Sequence, residues 1–167
     1  MRPLAALVGA LVFLAPPAFA QPLDPPSGLS SLSADGTVGF GHVYNGRSDG
    51  MYGFDVGFDV RYRWHAVGLR ARTFVPFIFG RTQLWEAGGL YSFTVVGSLS
   101  LGAGVTYVSE TYTSEETHDL VRVSRIGVPL EVTFRLHDPE TFGPYVRGFA
   151  NLNDERTFGG VSVGITL

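Results

Sequence analysis

The sequence predicts an all-β chain, an eight-stranded antiparallel up-and-down transmembrane β-barrel that follows a cleaved signal peptide. Three observations carry this. Apolar and polar residues alternate through most of residues 36–167; no segment after the leader has the ~18 consecutive apolar residues of a spanning helix; and the chain closes on one more alternating strand, Val161, Val163, Ile165 and Leu167. The clearest segment runs from Tyr52 to Trp64. Its odd members are Tyr52, Phe54, Val56, Phe58, Val60, Tyr62 and Trp64, and between them stand Gly53, Asp55, Gly57, Asp59, Arg61 and Arg63. Side chains alternate across a strand, so one face is apolar with rings at both ends while the other is charged and glycine-rich. A strand of about thirteen residues tilted by ~45° crosses the ~25 Å apolar band of a membrane barrel, and its terminal rings fall where aromatic girdles sit.

Residues 1–20 read as a secretory signal peptide: Arg2, an apolar stretch from Leu4 to Leu14, and Ala18-Phe19-Ala20 ahead of Gln21. Pro16-Pro17 interrupts the apolar run, which is too short for a retained anchor. Residues 21–35, with Pro22, Pro25 and Pro26, have no period and read as a flexible periplasmic lead-in, leaving 36–167 as the barrel domain. There is no cysteine, so neither a disulfide nor a lipid-modified cysteine can form. Charged residues are 16% of the chain, below the ~25% of soluble domains. All twelve basic residues are arginine, whose planar guanidinium suits packed ion pairs. The net charge of −3 offers no case for nucleic acid as a partner.

The strands follow in order. The first, Gly36 to Tyr44, places Val38, Phe40 and Tyr44 on one face, and Asn45 to Gly50 form a loop. The second is the Tyr52–Trp64 strand, after which His65-Ala66 make a tight turn. The third, Val67 to Phe79, turns Val67, Leu69, Ala71, Val75, Phe77 and Phe79 outward and Arg70 and Arg72 inward. The fourth, Leu84 to Val95, turns Trp85, Ala87, Tyr91, Phe93 and Val95 outward against Glu86, Ser92 and Thr94. The fifth, Ser98 to Val108, carries Leu99, Leu101, Ala103, Val105 and Tyr107 outward. Ser109 to Asp119, with Glu110, Glu115, Glu116 and Asp119, reads as the longest polar loop. The sixth strand runs from Ile126 to Leu136, with Glu131 and Arg135 inward. On the seventh, Gly143 to Leu152, Arg147 is placed inside because an arginine on the lipid face near mid-bilayer costs about 2–4 kcal/mol. Thr157 to Leu167 form the last strand.

Here the chain resembles small bacterial outer-membrane β-barrel proteins of the OmpX and OmpA-transmembrane-domain kind. The residues that carry the resemblance are the amphipathic last strand and the pair of segments Ile126-Gly127-Val128-Pro129-Leu130-Glu131-Val132 and Gly143-Pro144-Tyr145-Val146. The resemblance implies an outer-membrane location in a Gram-negative cell, lipid and lipopolysaccharide as surroundings, and barrel-assembly machinery that reads Val161, Val163, Ile165 and Leu167 as its signal. Leu167 stands where an aromatic residue is commonest.

Eight strands leave an interior just wide enough for side chains. The expected interior set is Asp55, Asp59, Glu86 and Glu131 against Arg61, Arg63, Arg70, Arg72, Arg135 and Arg147, an ion and hydrogen-bond network and not an open channel. The expected aromatic girdle is Tyr52, Phe54, Tyr62, Trp64, Trp85, Tyr91, Phe93 and Tyr107. Catalytic chemistry is weakly signalled. Asp55 and Asp59 are spaced for acid–base or metal work, yet arginines share their face. His42, His65, His118 and His137 lack metal-ligand spacing, and no cofactor is expected. Ser114, Glu115, Glu116, His118 and Asp119 supply the residue types of a lipid A-modifying enzyme without a nucleophile motif, and the same loop lacks the ligand pattern of a calcium site. A soluble lipocalin-like barrel, with the apolar face turned inward around a ligand, is the alternative architecture. The favoured role is a non-enzymatic envelope structural or surface-interaction protein.

Overall fold

The computed structural model describes residues 32–44, 50–62, 64–76, 82–114, 117–136, 142–154 and 157–167. The signal peptide, most of the lead-in, Arg63, Phe77, Phe79, Glu115, Glu116 and His137 lie outside them. Eight strands follow in order: β1 (Leu32–Tyr44), β2 (Met51–Tyr62), β3 (His65–Pro76), β4 (Gln83–Val96), β5 (Leu99–Thr113), β6 (Leu120–Arg135), β7 (Gly143–Leu152) and β8 (Phe158–Thr166). Each pairs antiparallel with its neighbour in sequence, and β8 pairs back onto β1 from Thr37↔Thr166 to Tyr44↔Gly159, closing the barrel. Among the described residues no helix is long and apolar enough to cross a membrane.

This topology sorts the connections onto two ends. Leu32, Leu167 and the β2–β3, β4–β5 and β6–β7 connections share the termini end. The β1–β2, β3–β4, β5–β6 and β7–β8 connections share the loop end. The outer face is apolar all round: Phe54, Phe58, Leu69, Val105, Ile126 and Val163 are each at least half exposed. Along β2 the burial alternates at nearly every residue, which is the period-2 pattern of the sequence made physical.

Three boundaries differ from the sequence reading. β1 begins at Leu32, ahead of Gly36, so Asp35 joins the barrel. His65 and Ala66 belong to β3, paired with Tyr62 and Arg61, and the turn is formed one step earlier around Trp64. The polar segment from Ser109 is not a long loop: β5 runs on to Thr113 and β6 starts at Leu120, paired as Ser109↔Ser124, Thr111↔Arg122 and Thr113↔Leu120. Threonine, tyrosine and valine in Thr111-Tyr112-Thr113 and Leu120-Val121-Arg122-Val123 favour a pleated strand even where the outward residues are polar. What misled was polarity, which marks the departure from hydrocarbon and not the end of the strand.

Glycine permits close approach where β1 meets β8. Gly39 on β1 and Gly164 on β8 are register partners, and the inward ring of Tyr145 on β7 lies across them, so a Cβ at either would collide with the Tyr145 hydroxyl. The bare backbone pair is the floor on which the tyrosine packs. Gly39→Val is expected to destabilise the folded barrel by about 1–3 kcal/mol through overpacking, read as a lowered urea midpoint in detergent micelles.

Candidate functional site

The barrel interior is the part of the molecule where charge and burial meet. Twelve charged strand residues are buried among the described residues: Asp35, Asp55, Asp59, Glu86, Glu110 and Glu131 against Arg61, Arg70, Arg72, Arg125, Arg135 and Arg147. The signs balance one for one. A bare charge in so dry a space would be prohibitive, so each must be met by a partner at contact distance.

Glu131 on β6 is the hub. Arg70 approaches it through Nε at 3.3 Å, Arg147 through Nε at 3.6 Å, and Arg72 closes on Oε1. Arg70 also donates both terminal amines to Asp59 at 2.8 Å, the two-pronged geometry that a guanidinium offers and an ammonium does not. Arg72 reaches Glu86 at 3.0 Å and stands 3.7 Å from Asp55. Asp55 in turn accepts from Arg147 at 2.8 Å and from the Ser162 hydroxyl at 2.9 Å. Asn151 adds two bonds, donating to Glu86 at 2.7 Å and to the Thr106 hydroxyl at 2.8 Å. These contacts join all seven strands from β2 to β8 across the lumen.

Two smaller groups flank this middle layer. Toward the termini end, Arg61 binds Asp35 at 2.9 Å and reaches Thr94, while Arg135 lies near Asp35 and Ser100 at longer range. Toward the loop end, Arg125 binds Glu110 at 2.5 Å. There the lumen also holds an apolar cluster of Val43, Met51, Phe74, Leu84, Val108, Phe149 and Phe158. Phe74 and Phe149 stack at 5.7 Å, and the Arg72 guanidinium lies 4.4 Å over the Phe149 ring, which seats the charged layer directly against the apolar one.

Of the interior set named from sequence, Arg63 lies outside the described residues and the other nine point inward. Asp35, Glu110, Arg125 and Asn151 were missed. Each lies an even number of residues from an inward neighbour, so extending the parity past the assumed strand ends finds them. The apolar cluster was missed as well, and its signal is a break in alternation: Val43-Tyr44, Met51-Tyr52, Phe74-Val75, Leu84-Trp85 and Tyr107-Val108 put apolar residues on both faces at the loop end.

The rings fall in two groups on the outer face. At the loop end Tyr52 packs with Phe40 and His42, Phe54 lies one pleat below against Phe40, and Trp85 packs on Tyr107 at 5.2 Å. At the termini end Tyr62 pairs with His65, whose ring bonds the Tyr91 hydroxyl at 2.6 Å and packs on Phe93; the Trp64 carbonyl accepts from the Thr94 amide. Val161, Val163, Ile165 and Leu167 are exposed along β8. This polarity, rings and aliphatics outside with charges inside, overturns the lipocalin-like alternative, whose cavity would need the reverse.

No family model and no curated protein matches the chain. Among solved structures, Neisserial surface protein A (NspA) superposes with a TM-score of 0.56 at 10% identity, over 82% of this chain and 98% of that one. Ail, the attachment invasion locus protein of Yersinia pestis, superposes with a TM-score of 0.51 at 11% identity, over 80% of this chain and 97% of that one. The chain has the fold of the small outer-membrane β-barrels. At these identities the likeness is one of fold.

In this outer-membrane barrel fold the tip of β5–β6 is a tight turn. The Ser114 amide donates to the Asp119 carbonyl at 2.9 Å, the His118 amide to the Ser114 carbonyl at 3.0 Å, and the Thr117 amide to the Ser114 hydroxyl. His118 takes a left-handed φ of 57° to complete it. The Ser114 oxygen is thus engaged as a turn cap. Among the described residues no group of three His, Cys, Asp or Glu side chains is arranged to hold a metal.

Removing the hub should be costly. Glu131→Leu leaves Arg70, Arg72 and Arg147 facing an apolar side chain and is expected to lower barrel stability by about 3–5 kcal/mol. Unfolding in urea from lipid vesicles, followed by tryptophan fluorescence, checks this. Arg61→Leu at the termini end is expected to shift the midpoint in the same direction but less, because its carboxylate partner keeps Arg135 within reach.

Proposed function

We propose that this protein is an integral outer-membrane barrel of a Gram-negative envelope, non-enzymatic and closed to solutes, serving the envelope as a structural element. The observation that carries this reading is the filled lumen. Its charges are matched one for one, and the apolar cluster from Val43 to Phe158 lies across the loop end. A conducting pore needs a hydrated path lined by groups that solute can exchange with, and here those groups bind one another. The outer belt is fit for hydrocarbon, and closure satisfies every strand edge within it. The exposed β8 face of Val161, Val163 and Ile165 is one that barrel-assembly machinery would engage, and lipopolysaccharide and phospholipid are the immediate partners.

Surface interaction is the second reading, favoured by one feature. The β5–β6 hairpin extends past its neighbours, to Thr113 and Leu120, and carries the Ser114–Asp119 tip away from the rim. An enzymatic role is not proposed, because the Ser114 hydroxyl caps a turn.

Three measurements test this. Outer-membrane fractions run on a denaturing gel with and without boiling should show the protein migrating differently once heated; a soluble protein with one mobility would overturn the membrane reading. Purified barrel in planar bilayers should give no discrete conductance steps, and regular steps would refute the closed lumen. His118→Ala should leave the lipid A mass spectrum of the host unchanged, whereas loss of an acyl modification would establish an enzyme.

A further inference from the structure

Thirteen charged residues stand in the eight strands, and all but Arg122 are buried in the lumen. Arg122 on β6 has the outward parity of Ser124, Ile126 and Val128 and is exposed. On the hydrocarbon belt such a charge would be strongly disfavoured, but Arg122 lies four residues beyond Ile126, roughly 13 Å further along the strand toward the loop end. That places it at the level of lipid headgroups, just past the Trp85–Tyr107 ring pair, where indole and phenol mark the interface.

The side chain is also held. Its Nε donates to the Ser109 hydroxyl at 3.1 Å, and Ser109, although on the outward face, is only 1% exposed. With Nε engaged on Ser109, the two terminal amines of this exposed side chain remain for another acceptor, and among the described residues neither enters an ion pair. A guanidinium presented edge-on with two parallel N–H donors matches the oxygens of a phosphate group. Ser124 and Thr111, beside it on the same outward face, add hydroxyls.

We propose that Arg122, seated on Ser109, binds a phosphate of an outer-leaflet lipid headgroup and so fixes the depth and rotation of the barrel in the membrane. This rests on the outer-membrane reading above. A single charge-assisted bidentate contact of this kind is worth about tenfold in affinity.

The test is native mass spectrometry of the full chain, extracted in detergent and titrated with bis-phosphorylated lipid A, with the same lipid dephosphorylated, and with inorganic phosphate. Arg122→Gln should bind phosphorylated lipid A about tenfold less than the unaltered protein, Arg122→Lys should fall between them, and the dephosphorylated lipid should bind all three alike and weakly. Equal binding of phosphorylated lipid A by Arg122→Gln, or equal binding of both lipids by the unaltered protein, overturns the proposal. Displacement of lipid A by millimolar inorganic phosphate would assign the site to a soluble anion and overturn the lipid source. The heated and unheated gel mobilities of each variant are recorded in parallel. A retained shift with unchanged lipid binding sinks the Arg122 site alone, while absence of any shift in the unaltered protein removes the membrane reading beneath it.

Discussion

Hydrocarbon offers no hydrogen bonds, and from that constraint most of this structure follows. A sheet immersed in it cannot leave an edge, so β8 must return to β1, as it does from Thr37↔Thr166 to Tyr44↔Gly159. Closure with eight strands sets a narrow lumen that side chains must fill. The same solvent forbids charge on the outer belt, so polar residues that a strand carries for its own alternation are driven inward, and once there they must neutralise one another. Glu131 with its three arginines is the outcome of that sequence of demands.

The lumen is layered. An apolar cluster occupies the loop end, a dense ion network the middle, and a looser set around Asp35, Arg61 and Arg135 the termini end. The dense layer ties together strands far apart in sequence, so it resists both shear between strands and change of barrel cross-section. Arginine is suited to it because one guanidinium can bridge two or three carboxylates in its plane while its flat face stacks on a ring, as Arg72 does on Phe149 and Arg147 on Tyr145. The outer face then serves solvation by lipid, and the one charge that the described strand residues place on it, Arg122, stands toward the loop end past the Trp85–Tyr107 ring pair.

Strand count, strand parity and the orientation of Arg70, Arg72, Glu86, Glu131 and Arg147 were legible because a period of two is a local property: it needs only neighbouring residues and the knowledge that one face is apolar. Where the reading failed, it failed at ends. Outward polarity makes Ser109 to Thr113 resemble solvent-exposed loop and leaves Leu120 to Arg125 outside the sixth strand, and Leu32 to Asp35 resemble a linker because they follow prolines and serines without a period. A strand ends where its hydrogen-bonding partner ends, and that depends on register with a segment elsewhere in the chain.

By itself the sequence determined a chain with one greasy and one charged face, an even number of strands, no cysteine and arginine as its only cation. Only the tertiary structure decided which charges meet. The bonds from Arg70 to Glu131, Arg147 to Asp55 and Ser162 to Asp55 span 61, 92 and 107 residues. No local pattern can encode such pairings, because they depend on the stagger accumulated around the closed sheet, and it is that stagger which turns a list of inward charges into a neutral, filled interior.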